Sequence, residues 1–331
     1  ARGVNITETG VNITEISNQN DDVSKIIIET TGYVDSTKIY LHNHDTQTKD
    51  SGYIINNTLV FDAQVSEPTP FSINTVFNFK KREDFENKMF WKESNQLTIM
   101  AQKGNLKNAK IEGSLIQKQA DIVESGQARL EQINDRLLNE YRALSKEETE
   151  KRLVLRNKGK KITQAISDVE TDYIKNNPDQ IYSAILLKRL MTYTIPKAKT
   201  KELYENLSDK VKSSKYGISI KKYLELSLDL KIGDKAPDFQ LPDLDGNLIG
   251  LSTFKGKYIL LDFWSINCGP CILELPNLLN NYKKYKEKGF EIISISFDKK
   301  KTDWSNAVRD HNMIWTTVSD LQGSDGDVIM T

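Results

Sequence analysis

The sequence of 331 residues contains few residues that form disulfides or bind transition metals: two cysteines and three histidines. With two cysteines, at most one intramolecular disulfide can form, which excludes a disulfide-stapled scaffold. A structural zinc site normally takes four Cys or His ligands at close spacing. Cys268 and Cys271 are adjacent, but the histidines are at positions 42, 44 and 311. We therefore expect no metal.

Neither sign of charge dominates, since 46 Lys and Arg residues balance 46 Asp and Glu residues. This balance offers no global attraction to nucleic acid, which is not expected as a partner. No run approaches the ~18 apolar residues of a transmembrane helix. The chain begins "ARGVNITETG", without Met or an apolar leader, so we expect a mature form from which an export signal has been removed.

The length allows two or three domains. The hexapeptide "GVNITE" occurs twice, at 3–8 and 10–15, and residues 1–20 are interpreted as a tail or edge strand. Residues 21–115 are predicted to form an antiparallel, sandwich-like β module, because short runs rich in Ile, Val, Thr and Phe alternate with turn residues. These runs are "SKIIIETTGYV", "TKIYLHN", "TLVFDAQV", "FSINTVF", "QLTIMAQ" and "AKIEG".

Residues 116–230 are predicted to be helical. Apolar residues recur at steps of three and four, as in Leu130, Ile133 and Leu137. Pro178 should end one helix just before it, and further helices are expected at 180–193, 197–212 and 218–228. Their Lys- and Glu-rich faces are most simply solvated, although a helical contact between molecules stays open.

Residues 231–331 are predicted to form an α/β domain. An Asp245-Gly246 turn indicates a hairpin, and 258–264 is a continuous apolar strand. A helix at 271–286, a strand at 290–297, a helix at 302–310 and a strand at 313–318 should follow. The β-α-β-α-β order implies a partly parallel sheet.

Both cysteines fall where the buried strand ends and a helix begins. Cys268 is expected at the N-cap or first turn, where free N–H groups and the helix dipole favour a thiolate. Pro270 suits the first turn, and Gly269 removes side-chain bulk beside the sulfur. Cys271 lies less than one turn away and can reach back. A structural clip is disfavoured because closing so short a loop removes little entropy.

The segment "LDFWSINCGPCILELP" resembles the active site of the thioredoxin superfamily. Together with "IGDKAPDFQLPDLDG" and "GFEIISISFD" it is similar to the TlpA-like thiol–disulfide oxidoreductases, an envelope branch that shares its N-terminal segment with peroxiredoxins of the AhpC/TSA type. The segments "FWKESNQLTIMA" and "AKIEGSLIQ" resemble the module that precedes such domains in some Gram-negative envelope proteins. The resemblance implies a thioredoxin fold and a periplasmic or envelope location.

The resemblance also implies roles at the site. Cys268 would be the nucleophile, Cys271 the resolving thiol and Asp262 a buried proton acceptor, although Asp262 could instead be an acid that reaches solvent. Supporting positions are Trp264, which packs against the helix and walls the site, and Gly269, Pro270, Glu274 and Pro276. Glu274 is as well explained by a solvated helix face, and Pro276 should kink the helix.

The sequence departs from the family pattern in two places. Asn267 stands where thioredoxins usually carry an aromatic residue. No proline follows Pro276, whereas thioredoxins place a cis-proline opposite the cysteines. The C-terminal domain is therefore expected to be incomplete, ending before the cis-proline loop.

These features together predict an enzyme that reduces disulfides of envelope proteins. It would need no cofactor beyond the Cys268–Cys271 pair. A membrane electron donor follows by family analogy, and a homodimer through the β module or the helices stays open. One alternative is a peroxiredoxin-like peroxide reductase, although "FWSINC" lacks the threonine that such enzymes place before their cysteine. Another is a non-catalytic binding or dimerisation module that carries a redox domain.

Overall fold

The computed structural model describes residues 5–7, 10–12, 24–75, 86–93, 95–228 and 230–330. They belong to two compact units, Ala1–Glu124 and Ser125–Thr331. This division differs from the predicted segments, since the helical residues after 124 share a unit with the α/β region. In the predicted tail, β1 (Asn5–Thr7) and β2 (Gly10–Asn12) pair with each other in antiparallel fashion. The rest of that tail lies outside the described residues.

The first unit contains two four-stranded sheets among its described residues, in the orders β10-β9-β3-β6 and β5-β4-β7-β8. All their strand pairs are antiparallel except β3 with β9. The strands are β3 (Lys25–Thr31), β4 (Lys38–Asn43), β5 (Thr48–Tyr53), β6 (Thr58–Asp62), β7 (Thr69–Asn74), β8 (Asn87–Lys92), β9 (Leu97–Gln102) and β10 (Lys110–Glu112).

A single apolar core joins the two sheets. Ile26, Ile28 and Ile99 from one sheet share it with Phe71 and Phe90 from the other. Alternate residues of β3 and β6 point into this core, as a half-buried strand requires. Two sheets that share one core are therefore present, as a sandwich-like module predicts, but the predicted all-antiparallel pairing was wrong because β3 and β9 pair in parallel. The sheets also include β5 and β8, which sequence reasoning did not assign.

Six helices follow, and α2 ends before Asn177–Pro178 as predicted. They are α1 (Leu115–Ala143), α2 (Thr149–Asn176), α3 (Ile181–Tyr193), α4 (Lys197–Asn206), α5 (Asp209–Lys212) and α6 (Lys215–Leu226). The single helix predicted at 197–212 was wrong, because Leu207 and Ser208 are extended and separate α4 from α5. Over the described residues, no helix combines the length and apolar character needed to cross a membrane.

The α/β region follows the predicted order of elements. A short hairpin pairs β11 (Leu241–Pro242) with β12 (Leu248–Ile249). Three parallel strands lie in the order β13-β14-β15, with Asp262 opposite Ser294. The remaining elements are β13 (Tyr258–Trp264), α7 (Gly269–Tyr285), β14 (Phe290–Ser296), α8 (Lys301–Asp310), β15 (Thr316–Val318) and α9 (Asp327–Met330).

Both faces of this parallel sheet carry apolar residues. On one face, Trp264 and Ile292 pack with Leu275 and Tyr282 of α7 and with Trp304 of α8. A second cluster contains Ile293, Ile295 and Val318 together with Leu241 of the hairpin. The first face is the one that supports the cysteines, because the helix that begins at the cysteine pair packs on it.

A carboxylate near the end of the chain connects the sheet region to the preceding helices. Asp325 accepts hydrogen bonds from Lys188 Nζ of α3 and from Ser219 Oγ of α6, each at 2.6 Å. Lys222 Nζ of α6 donates to the Asp325 backbone oxygen and lies 2.6 Å from the Asp327 carboxylate. The helical and α/β parts of the second unit therefore share a polar contact.

Candidate active site

Cys268 is the N-cap residue of α7, as the sequence predicted. Its backbone is extended, with φ −86° and ψ 91°, and Pro270 occupies the first turn. The Cys268 amide donates to the Ser265 oxygen at 3.0 Å, and its carbonyl accepts from the Ile272 amide at 3.1 Å. The tight turn after β13 thus delivers the sulfur directly to the start of the helix.

The two cysteines are joined in a disulfide, with Cα atoms 5.3 Å apart. The Cys271 amide donates to Cys268 Sγ at 3.3 Å, which makes this sulfur the cap of the helix. In the reduced protein the same amide and the positive end of the helix would favour a thiolate at Cys268. Cys271 Sγ lies 4.0 Å from the Phe263 oxygen at the end of β13. The geometry thus favours Cys268 as the nucleophile.

Asp262 lies on β13 and is partly buried among packed side chains. Its Oδ2 accepts a hydrogen bond from Ser294 Oγ at 2.7 Å. Burial raises the pKa of the Asp262 carboxyl; the Ser294 hydrogen bond opposes this rise and the negative charge of Glu274 adds to it. A carboxyl group tuned in this direction suits proton transfer closer to neutral pH. Its role as proton acceptor remains a prediction.

Trp264 is fully buried and packs with Leu275 and Tyr282 of α7, while Cys271 contacts the same cluster. The predicted packing against the active-site helix is therefore observed, and the part of Trp264 as a wall of the site stays a prediction. A Cβ placed on Gly269 meets no atom within 4 Å beyond its chain neighbours, so the fold itself does not require glycine there. Its predicted role, to keep bulk away from the neighbouring Cys268 sulfur, stays a prediction.

Glu274 and Pro276 both lie on α7 and are exposed. Glu274 accepts a hydrogen bond from Asn277 Nδ2. Glu274 therefore lies on a solvated helix face. Its negative charge helps to raise the pKa of Asp262. Pro276 is inside the helix, which continues to Tyr285. Asn267 is exposed beside Cys268.

Asp298 is a site residue that sequence reasoning missed. It is completely buried, and its carboxylate accepts hydrogen bonds from the Ile266 amide at 3.3 Å and from Ser296 Oγ at 2.8 Å. Burial raises the pKa of this carboxyl, and the hydrogen bonds oppose the rise. Asp298 therefore holds the turn that leads into Cys268. Asp298 could have been predicted from the topology: it follows β14 as Ile266 follows β13, and the carboxyl ends of adjacent parallel strands meet at one edge of the sheet.

Ser294 and Trp315 were also missed as neighbours of the site. Trp315 is buried, and its Nε1 donates to Ser294 Oγ at 2.8 Å. Among the described residues, no group of three or more His, Cys, Asp or Glu side chains could hold a metal ion.

A parallel sheet whose strand leads into a helix capped by one of two nearby cysteines defines a thioredoxin-like dithiol domain. Comparison with protein families is consistent with that class. Residues 232–328 match the AhpC/TSA family, and residues 24–120 match a domain of unknown function, DUF4369.

Individual relatives cover the same C-terminal region. The thiol-disulfide oxidoreductase ResA of Bacillus cereus is 38% identical over 101 residues, which are 30% of this chain and 58% of that protein. The Bacillus subtilis protein of the same name is 36% identical over 88 residues, which are 27% of this chain and 49% of that protein. The chain thus spans about half the length of these relatives.

Solved structures include the thioredoxin domain of a thiol-disulfide oxidoreductase from Bacteroides vulgatus, which is 39% identical. The match covers 30% of this chain and 72% of that domain, with a TM-score of 0.29. The C-terminal region of the chain, residues 232–328, is therefore similar to the AhpC/TSA family and to thiol–disulfide oxidoreductases of the thioredoxin superfamily.

Proposed function

We propose that this protein reduces disulfides of cell-envelope proteins through the Cys268–Cys271 dithiol. One observation carries the proposal: Cys268 Sγ caps α7 and accepts the Cys271 amide. A sulfur in that position is stabilised as a thiolate, which is the reactive form in thiol–disulfide exchange. The envelope location rests on the resemblance to TlpA-like proteins.

The reaction would proceed in two exchanges. The Cys268 thiolate attacks one sulfur of the partner disulfide, which forms a mixed disulfide and releases the other partner sulfur as a thiolate that takes up a proton. Cys271 then loses its proton to Asp262 and attacks Cys268 Sγ. This second step closes the Cys268–Cys271 disulfide, releases the second partner thiol and transfers two electrons to the partner in total.

The burial of Asp262 supports its part in the second step. A carboxylate shielded from water takes up a proton more readily than an exposed one, so it can accept the Cys271 proton and release it afterwards. The oxidised protein must then be reduced again by a second dithiol. We assign this to a membrane electron donor, by analogy with envelope members of the family.

Partner trapping tests the activity. In Cys271→Ser the mixed disulfide on Cys268 cannot be resolved, so disulfide-containing envelope proteins should accumulate as covalent adducts that dithiothreitol releases. Cys268→Ser is the matched control, since it lacks the nucleophile and should trap nothing. Equal adducts in both variants, or none in Cys271→Ser, would count against a reductase.

The reduction potential tests the direction of electron flow. A value for the Cys268–Cys271 couple near that of thioredoxin, about −270 mV, fits a reductase, whereas one near the strong oxidants, about −120 mV, contradicts it. Peroxide consumption with a recycling reductant addresses the peroxidase alternative. Rapid turnover of peroxide in the absence of protein disulfides would favour that alternative.

We also propose that the α1–α2 hairpin pairs with the hairpin of a second copy. The two helices run antiparallel, with Gln127 bonded to Glu170 and Arg152 to the Leu144 oxygen. Within residues 128–166, all of them described, no side chain is fully buried. Leu138, Leu153 and Val154 are 41%, 56% and 52% exposed, so the distal hairpin offers an uncovered apolar surface.

The exposed apolar stretch and the basic face of α2 support a second copy as the occupant. Residues 151–167 contain six basic residues and no acidic one, whereas the distal part of α1 exposes both signs, with Glu131, Asp135 and Glu140 beside Arg129, Arg136 and Arg142. A two-fold arrangement that places α1 of one copy against α2 of the other would bring the three α1 carboxylates to the basic face of α2. Light scattering should give a dimer for the native protein and a monomer for Leu153→Glu. Ile218→Glu, at an equally exposed helical position, should remain dimeric. A monomeric native protein would rule the proposal out.

A further inference from the structure

Asp262, Ser294 and Trp315 form a continuous chain of hydrogen bonds. Trp315 Nε1 donates to Ser294 Oγ at 2.8 Å, and Ser294 Oγ donates to Asp262 Oδ2 at 2.7 Å. Asp262 lies on β13, Ser294 lies on β14 and Trp315 lies just before β15. Ser294 is completely inaccessible to solvent and Trp315 nearly so, so water does not compete for the bond between them.

The chemistry of the three groups fixes the direction of this chain. An indole N–H can only donate, and an ionised carboxylate can only accept. The single hydroxyl hydrogen of Ser294 is left to point at Asp262, because the indole hydrogen occupies a lone pair on the hydroxyl oxygen. A neutral, protonated Asp262 can still accept this hydrogen, but more weakly, since hydrogen bonds to charged groups are the stronger ones.

We infer that Ser294 and Trp315 are positioning residues for Asp262: the indole orients the Ser294 hydroxyl, and the hydroxyl stabilises the charged carboxylate and holds its orientation. The catalytic consequence of this arrangement rests on the proposed function, in which Asp262 accepts the Cys271 proton. The structural consequence does not, because the acidity of Asp262 can be measured without any substrate.

The surroundings of Asp262 otherwise disfavour its ionised form, so the carboxylate needs a hydrogen-bond donor. Burial disfavours its charged form, and Glu274 on α7 adds a negative charge that disfavours it further. Among the influences that the described residues exert on this carboxyl, the Ser294 hydrogen bond is the one that favours ionisation. If the Ser294 hydroxyl is removed, burial and the charge of Glu274 both raise the pKa of Asp262 with no hydrogen bond to oppose them.

The chain provides its own matched control in a second indole–hydroxyl pair. Trp304 Nε1 donates to Thr317 Oγ1 at 2.8 Å, and both residues are buried in the same unit. No carboxylate is bonded to Thr317 among the described contacts. Trp304→Phe therefore removes a bond of the same kind and length as Trp315→Phe, without interrupting a chain that ends at Asp262.

The experiment measures the acidity of Asp262 in the oxidised protein, in which the cysteines are joined and do not titrate. Urea unfolding between pH 4 and 9 gives the pH dependence of stability, and subtracting the same curve for an Asp262→Asn background isolates Asp262. Ser294→Ala should lower its ionisation constant about tenfold or more, the factor expected for losing a hydrogen bond to a charged group.

Three further variants complete the test. Trp315→Phe should shift the ionisation constant in the same direction by a smaller factor, because the hydroxyl remains but is free to rotate. Ser294→Thr should retain the native value, and Trp304→Phe should leave it unchanged despite a similar loss of stability. An unchanged constant in Ser294→Ala, or equal shifts in the two Trp variants, would overturn the inference. A native protein that reduces no disulfide would count against the proposed function alone.

Discussion

Replacing Asp325 should loosen the contact between the α/β region and helices α3 and α6. The carboxylate accepts two hydrogen bonds of 2.6 Å, from Lys188 and Ser219, and Asp325→Ala removes both. The side chains of Lys188 and Asp325 are 24% and 39% exposed, so solvent screens the ion pair. A screened pair contributes about 0.5–1 kcal/mol and a charged hydrogen bond about 1.5 kcal/mol at the lower end, which gives about 2 kcal/mol in total.

Urea denaturation followed by Trp fluorescence is a suitable assay, because the four tryptophans include Trp264, Trp304 and Trp315 of this unit. A loss of about 2 kcal/mol with a slope of about 2–3 kcal/mol per molar should lower the midpoint by roughly 1 M. Asp172→Ala is the matched control, since Asp172 is exposed on α2 of the same unit. It should change the midpoint little.

The pH dependence gives this prediction a second, independent test. Burial acts to raise the pKa of Asp325, but the bonds from Lys188 and Ser219 outweigh it and hold the pKa below its ordinary value. A carboxyl with a lowered pKa contributes its stability above the unfolded value near 4, and this is lost as the pH falls through the folded value. The difference between native and Asp325→Ala should thus be constant at pH 6–8 and shrink below pH 4. A midpoint no lower than that of Asp172→Ala would refute the reasoning.

Three further predictions concern the site. Asp262→Asn should be more stable than the native protein at pH 8. Burial raises the pKa of this carboxyl, so the native protein loses stability as the pH rises through that pKa and the Asn variant does not. Thermal unfolding should show that the difference disappears below pH 4. Gly269→Ala should leave the melting temperature unchanged, since a Cβ there meets nothing within 4 Å; a clear loss by calorimetry would contradict this. Asp298→Ala should cost about 2 kcal/mol in urea unfolding, because it leaves the partly buried Ile266 amide and the buried Ser296 hydroxyl without their acceptor; a neutral result would show that these donors find another acceptor.

The redox segment was predictable because its signals are local. The run at Tyr258–Trp264 is apolar except for Asp262, and the strand has those bounds. Cys268 and Pro270 suit the start of a helix by their own chemistry, and α7 begins there. No distant residue is needed to place either element, so the cysteine pair could be located before the fold was known.

Elements that depend on distant partners could not be predicted in this way. The residues of β5, "TKDSGY", are mostly polar and exposed, and the strand exists because its backbone pairs with β4. The interruption between α4 and α5 has a similar origin, since the Ser208 amide donates to the Pro178 oxygen from another part of the chain. The bond from Ser294 to Asp262 likewise follows from the register of β13 on β14, which the sequence does not display.

The cap of α7 has a consequence for spectroscopy. The sulfur that would exchange electrons also accepts the Cys271 amide, so the electron density on that sulfur acts directly on one backbone hydrogen. Formation of a thiolate at Cys268 should move the Cys271 amide resonance downfield and slow its exchange with solvent. A single backbone signal of the ¹⁵N-labelled protein could then follow the redox state and the acidity of the site, without a chromophore or a substitution.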